Sequence, residues 1–372
     1  MKRYFLLFAV IVIGFFSCSD DDDGNQNEKC FDSTFFSEYP SKNFEMGFST
    51  WAYAPSLESI NSTYQFINNN STIYSEQIDN NIPWSTWINN ATLPSEFTDD
   101  LTRRLDNKIT NLPLLLSISL LNIDRTDLAS DFDGSIPNYS ALNDKIIEDA
   151  YFKHVDYLIQ KFQPKYLVIA IEVNELRIKD ENKWEEYKLL IQEVKTRIRN
   201  KYPNLQLSES ITLHNLFQPE VSDPNDYINE MVAYANQMEF VAISYYPFFK
   251  GHHTKTEFQT AFDFLHEKIN QPIAFSETSH IAEDLSVSGF NFFADGSACE
   301  QNAYMETLLK NAQNHNYKFV VWWAHRDFDE LWETFPEDLK DLGKLWRDTG
   351  LLDENGVERP AYQTWEKVLH KE

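Results

Sequence analysis

The sequence predicts an α/β fold, a (β/α)8 TIM barrel in one domain, on three observations. Eight short apolar runs alternate with longer amphipathic ones, the pattern of strands and helices wound around a parallel sheet. The run Tyr166–Val173 is almost unbroken apolar and β-branched, which marks a strand buried on both faces. Two such runs end in glutamates, Glu175 and Glu277, and the distance between them is three strand-plus-helix units of roughly 30–35 residues each. A chain of 372 residues is long enough for one barrel of about 250 residues with long loops.

The first strand is expected at Phe44–Thr50, with a helix around Leu57–Ile67. The second is Thr72–Gln77, leading to Asp79 and Trp84, with a helix near Pro94–Thr110. Leu114–Leu120 is the third, and a long loop, Asn122–Asn138, precedes the helix Ala141–Phe162. The fourth strand ends at Glu175. Its helix, Lys183–Tyr202, carries Trp184, Tyr187, Leu190, Ile191 and Val194 at helical spacing. Leu205–Thr212 is the fifth strand, ending near His214, with its helix at Pro224–Gln237; Phe240–Tyr246 is the sixth, followed by Thr256–Ile269. Ile273–Glu277 is the seventh, followed by a long loop and a helix from about Glu300 to Asn314. Tyr317–Trp323 is the eighth, before final helices in Pro336–Trp346 and Pro360–Leu369. Eight strands close a barrel without leaving a sheet edge exposed.

The amino terminus has a different character. Met1–Ser17 joins a Lys-Arg start to an apolar run too short to span a bilayer as a mature helix, the composition of a secretory signal. Cys18 follows at once, and Phe16-Ser17-Cys18-Ser19 resembles a bacterial lipoprotein cleavage box, in which the cysteine becomes the lipidated first residue. Ser19-Asp20-Asp21-Asp22-Asp23-Gly24 resembles the acidic export tag of Bacteroidetes surface lipoproteins. The expected division is a signal at 1–17, an acidic tag and tether at 18–40 and the barrel at 41–372. The resemblance implies a protein held at the outer membrane and cell surface through lipid on Cys18. An ordinary signal peptide with an unmodified Cys18 is the alternative.

Against 32 Lys and Arg stand 58 Asp and Glu, a net charge of −26, which argues against nucleic acid or an anionic membrane surface as a partner. The 9 Trp, 18 Tyr and 28 Phe mostly serve a core of this size, so single positions must carry the argument. In barrels of this kind the site lies at the carboxyl ends of the strands. That face is expected to gather Trp51, Asp79, Trp84, Asn174, Glu175, His214, Tyr245, Tyr246, Glu277, His280, Trp322 and Trp323. Two acids, an asparagine, tyrosines and tryptophans are the furniture of a carbohydrate site.

Asn-Glu ending strand four, Glu ending strand seven, Tyr ending strand six and Trp ending strand eight resemble the large clan of retaining (β/α)8 glycoside hydrolases. Ser244-Tyr245-Tyr246-Pro247-Phe248 and the helix after Cys299-Glu300-Gln301 resemble more narrowly the endo-β-1,4-galactanase family. That family carries an Arg-containing motif on its second strand, where this chain has Tyr74-Ser75-Glu76-Gln77-Ile78-Asp79. The resemblance implies Glu175 as acid/base, Glu277 as nucleophile and Asn174 as partner of the sugar 2-hydroxyl. It implies an exported O-glycosyl hydrolase that cleaves a polysaccharide or oligosaccharide by double displacement without a cofactor; long loops after strands three and seven point to a cleft of several subsites, hence endo action, and a monomer is expected. Carboxyl groups about 5–5.5 Å apart give retention, and about 6.5–9.5 Å inversion. Strand alternation allows only one of Trp322 and Trp323, and one of Tyr245 and Tyr246, to face the site. Glu172 is a rival acid in the same strand. Period two sets it on the face opposite Glu175, so the expectation turns it toward the helices.

The other class of reading is a glycan-binding surface lipoprotein on the same barrel without turnover. His214, His280 and His325 also fall near strand ends and raise a zinc alternative, but no short ligand spacing accompanies them. Asp131-Phe132-Asp133-Gly134 matches half of a calcium loop, which leaves structural calcium as an open alternative. Cys30 and Cys299 are the remaining cysteines; sequence does not decide whether they pair.

Overall fold

A computed structural model of the chain describes residues 30–32, 34–38, 41–79 and 81–371. The signal, Cys18 and the acidic tag lie outside the described residues. Within them, parallel strands form one sheet: β1 (Glu45–Ser49), β2 (Ile73–Ile78), β3 (Leu114–Ile118), β4 (Tyr166–Val168), β5 (Gln206–Ser208), β6 (Ser210–Thr212), β7 (Val241–Tyr245), β8 (Ile273–Thr278) and, after a two-stranded hairpin of β9 (Leu285–Val287) and β10 (Phe292–Ala294), β11 (Phe319–Trp322). The sheet order is β5-β4-β3-β2-β1-β11-β8-β7-β6. Its two ends, β5 and β6, are halves of one strand interrupted at Glu209, so the ring closes through a single chain segment and the architecture is a (β/α)8 TIM barrel.

The alternation of each strand divides its side chains between two cores. Ile73, Leu115, Tyr166, Val168, Ala242, Ala274, Phe319 and Val321 fill the barrel interior. The intervening residues Tyr74, Leu114, Leu116, Leu167, Ile243 and Phe275 pack outward against the helices. At Gly47, on β1, any β-carbon would lie 1.9 Å from the carbonyl oxygen of Ile73, so no side chain fits there. The helices present matching stripes; in Lys145–Phe162 the buried positions include Ile147, Ala150, Tyr151, His154, Val155 and Leu158.

Predicted strand and helix positions agree with the structure to within a few residues, with two instructive departures. The fourth strand stops at Val168; Ile169, Ala170 and Val173 keep backbone bonds to Ser208 and Ser210 outside regular strand geometry, Glu172 takes a left-handed φ of 54°, and a short helix, Asn174–Lys179, follows. The hairpin β9–β10 was hidden inside the long loop after the seventh strand position. Cys30 and Cys299 are joined by a disulfide that ties the start of the described chain to the helix Ala298–Asn314.

Candidate active site

Lumen parity, carried to the carboxyl end of the barrel, selects the residues of the mouth. On β7 it runs from Ala242 through Ser244 to Tyr246, and past β11 from Phe319 and Val321 to Trp323. On β8, Ile243 of the neighbouring strand pairs with Phe275, but Ser244 pairs with Glu277. The extra residue is a bulge at Ser276, which turns Glu277 rather than Ser276 into the mouth. Beyond Val168 the alternation breaks: Ala170 packs in the helix-side core and Ile171 in the lumen cluster, and the left-handed turn at Glu172 sets its carboxyl beside Ser244.

Glu172 and Glu277 therefore meet. Ser244, the register partner of Glu277, donates its hydroxyl to Glu172 at 2.7 Å. Burial, then the neighbouring charge of Glu172, pushes the Glu277 carboxyl above its ordinary range, against the hydrogen bond it accepts from the Tyr246 hydroxyl. Arg125, from the loop after β3, closes the group. It is 6% exposed, donates to both carboxylate oxygens of Asp79 at 3.1 and 3.2 Å, and reaches Glu172 at 3.2 Å. An arginine thus stands over the mouth although the second strand carries none. It arrives from another loop. His214 lies beside Glu172; burial lowers its pKa to about 4, so it is neutral near pH 7, and its Nδ1 has no partner.

Glu175 does not join this group. Its carboxylate, in the first turn of the helix that begins at Asn174, accepts bonds from Thr212 and Asn215. Asn174 is fully buried and is held by Thr212 and Tyr227. Both residues brace the turn that follows Glu172. The alternation expected through this strand breaks after Val168, with Ala170 in the helix-side core and Ile171 in the lumen cluster.

The structure also chooses between the members of each aromatic pair and places Trp84 and His280 in the interior. Tyr245 points outward and bonds His252, whereas Tyr246 serves Glu277. Trp322 is buried with its indole N–H on the carbonyl of Thr349, whereas Trp323 lies tilted against Trp51 at the mouth, ring centres 5.1 Å apart. Trp84 is a core residue, bonded through its indole to Ala129. His280 is fully buried, with its ring nitrogens facing the carbonyls of Ile281 and His252.

The three histidines of the zinc alternative are not gathered. Among the described residues, the groups whose oxygens come together are Glu283 with Asp327 and Glu354, and Asp327 with Asp329 and Asp348. Arg359 clamps Asp327 and Glu283, and Arg347 binds Asp329 and Asp348, so arginines already balance those acids. Asp131 spends its carboxylate on the backbone N–H groups of Ser85 and Phe132, and Asp133 on Ser135. The half calcium loop is a set of turn bonds.

No family model matches the chain, and no curated protein does. Solved structures do. It resembles the GH53 catalytic domain of Ignisphaera aggregans, with 15% identity and a TM-score of 0.57 over 88% of this chain and 96% of that one. The GH5_18 protein of Bifidobacterium longum subsp. longum gives 11% identity and a TM-score of 0.63 over 88% and 79%. Native xylanase 10B of Thermotoga maritima gives 14% and 0.58 over 90% and 96%. At such identities the likeness establishes the barrel; the chemistry rests on the residues at its mouth.

Proposed function

We propose that the protein is a retaining glycoside hydrolase in which Glu277 is the nucleophile and Glu172 the acid/base. The observation that carries this is the meeting of these carboxylates over the barrel mouth, joined by Tyr246, Ser244 and Arg125. The glycoside hydrolase names of the structural neighbours support the same class.

A carboxylate oxygen of Glu277 attacks the anomeric carbon while Glu172 gives its proton to the departing glycosidic oxygen. A covalent glycosyl ester forms and the glycosidic bond breaks. Arg125, bonded to Glu172, lies beside the carboxylate that forms when the proton leaves. Glu172 then takes a proton from water, whose oxygen displaces Glu277 from the sugar. Arg125 and Asp79 supply fixed charge at the point where charge moves.

One observation favours a second reading with the two roles exchanged: Arg125 lies on Glu172, whereas burial and the Glu172 charge favour the proton on Glu277. Incubation with activated 2-deoxy-2-fluoro glycosides, followed by peptide mass mapping, decides between them. A sugar adduct on Glu277 supports the first assignment; one on Glu172 reverses it. If neither forms, and a panel of galactans, arabinogalactans, β-glucans, mannans and sulfated algal glycans is bound without cleavage, the non-catalytic glycan-binding reading takes its place. An endo mode, a galactan-like polymer as substrate, and surface display through lipid on Cys18 belong to this proposal as its finer parts. The endo mode rests on the long loops after strands three and seven, the other two on the sequence resemblances.

A further inference from the structure

We infer a second sugar-binding position beside the reacting one, formed by Phe249, Phe292 and Trp346. This rests on the glycoside hydrolase reading. The three rings come from separate segments: a turn at Pro247–Lys250, strand β10 of the hairpin, and the helix Glu337–Arg347. Phe249 lies 5.9 Å from each of the other two. Tyr246, which donates to Glu277, lies 5.8 Å from both Phe249 and Trp346, so the wall is continuous with the catalytic carboxylate.

Buried apolar rings of a core are covered on all sides. These three are only partly buried, and all three rest on the cluster that surrounds Tyr246 and Trp323. The indole N–H of Trp346 is sealed among its neighbours and has no hydrogen-bond partner. A buried donor without an acceptor costs about 1–3 kcal/mol. A hydroxyl of an occupant that reached this N–H would satisfy it. An indole N–H only donates, so the occupant must bring acceptor oxygens, and aromatic faces need flat C–H surface. A neutral pyranose ring linked to the reacting sugar has both. With a net charge of −26 on the chain, a neutral ring suits the position better than a uronic or sulfated one.

The test compares wild type with Phe292→Ala and Trp346→Phe on two kinds of probe. Four-nitrophenyl β-glycosides of single sugars report the catalytic pair alone. Manno-, xylo- and galacto-oligosaccharides of two to six units report the neighbouring position. Phe290→Ala, on an exposed residue of the same hairpin that lies outside the wall, controls for loss of fold. The expected result is a fall in kcat/KM of about tenfold on the cleaved oligosaccharide series. Aryl glycoside hydrolysis should stay within about twofold of wild type for all variants. Equal losses on both probes, or none on the oligosaccharides, overturn the second position while leaving the catalytic assignment intact. Absence of hydrolysis of every glycoside by wild type defeats the functional reading itself.

Discussion

Glu209 and Glu277 are both strand carboxylates enclosed by protein, and their surroundings are opposite in kind. Glu209, at the break between β5 and β6, is fully buried on the helix side. It accepts from Tyr187 and Tyr234 at 2.5 Å and from Lys195 at 2.8 Å. Glu76 repeats the pattern with Tyr64, Thr50 and Arg104. Each acid there has a cation and hydroxyl donors, so its charge is compensated. Glu277 has one donor, Tyr246, and faces two more acids, Glu172 and Asp79, with Arg125 shared among them. The first arrangement stabilises a fold; the second leaves a proton poised to move.

The largest effect that would break this contrast is on activity. On whichever glycan the wild type cleaves, Glu277→Gln and Glu172→Gln are each expected to lower kcat by roughly a thousandfold or more, while Glu175→Gln stays within about threefold. Loss of activity in Glu175→Gln with a competent Glu172→Gln would restore the assignment that the resemblance implies. The counterpart at the compensated site is a loss of stability. Glu209→Ala, which leaves Lys195 and two tyrosines unpaired, should cost about 3–5 kcal/mol in urea unfolding. The kcat of its folded fraction should remain near wild type.

Arg125→Met sharpens the comparison at the mouth itself. It removes the cation from Asp79 and Glu172, and Arg125 also holds the Glu277 carboxyl down. The acidic limb of the kcat/KM profile should therefore move upward, by about one pH unit. An unmoved limb would show that the arginine acts on neither acid.

The smallest expected effect is a slope. Glu277 has its native pKa raised above the ordinary 4.5, so the native state binds more protons than the unfolded one above that value. Stability then falls as pH rises from about 4.5 through the raised pKa, and levels off beyond it. Glu277→Gln should flatten this slope and unfold at a higher temperature than wild type at pH 8. Identical pH dependence in the two proteins would mean that Glu277 is not strained in the native state.

Much of the architecture was legible because apolar runs and amphipathic periods are local signals. Leu114–Ile118, Val241–Tyr245 and Ile273–Thr278 fall where patterning puts them. Glu277 was legible by itself as a strand-end acid, and Tyr246 and Trp323 each as one of a pair. Glu172 was visible and turned the wrong way. The alternation expected through its strand breaks after Val168, with Ala170 in the helix-side core and Ile171 in the lumen cluster. A charged residue inside an otherwise apolar run was the signal that marked it. Arg125 had no signal of its own, being one cation in a loop of mixed composition.

The sequence by itself determined the order of strands and helices and the acidic, aromatic character of the mouth, because these follow from residue periodicity and composition along the chain. Tertiary structure alone decided which acids face each other. The bulge at Ser276, the left-handed turn at Glu172 and the approach of Arg125 from β3 to Asp79 each depend on neighbouring strands packing around a common interior.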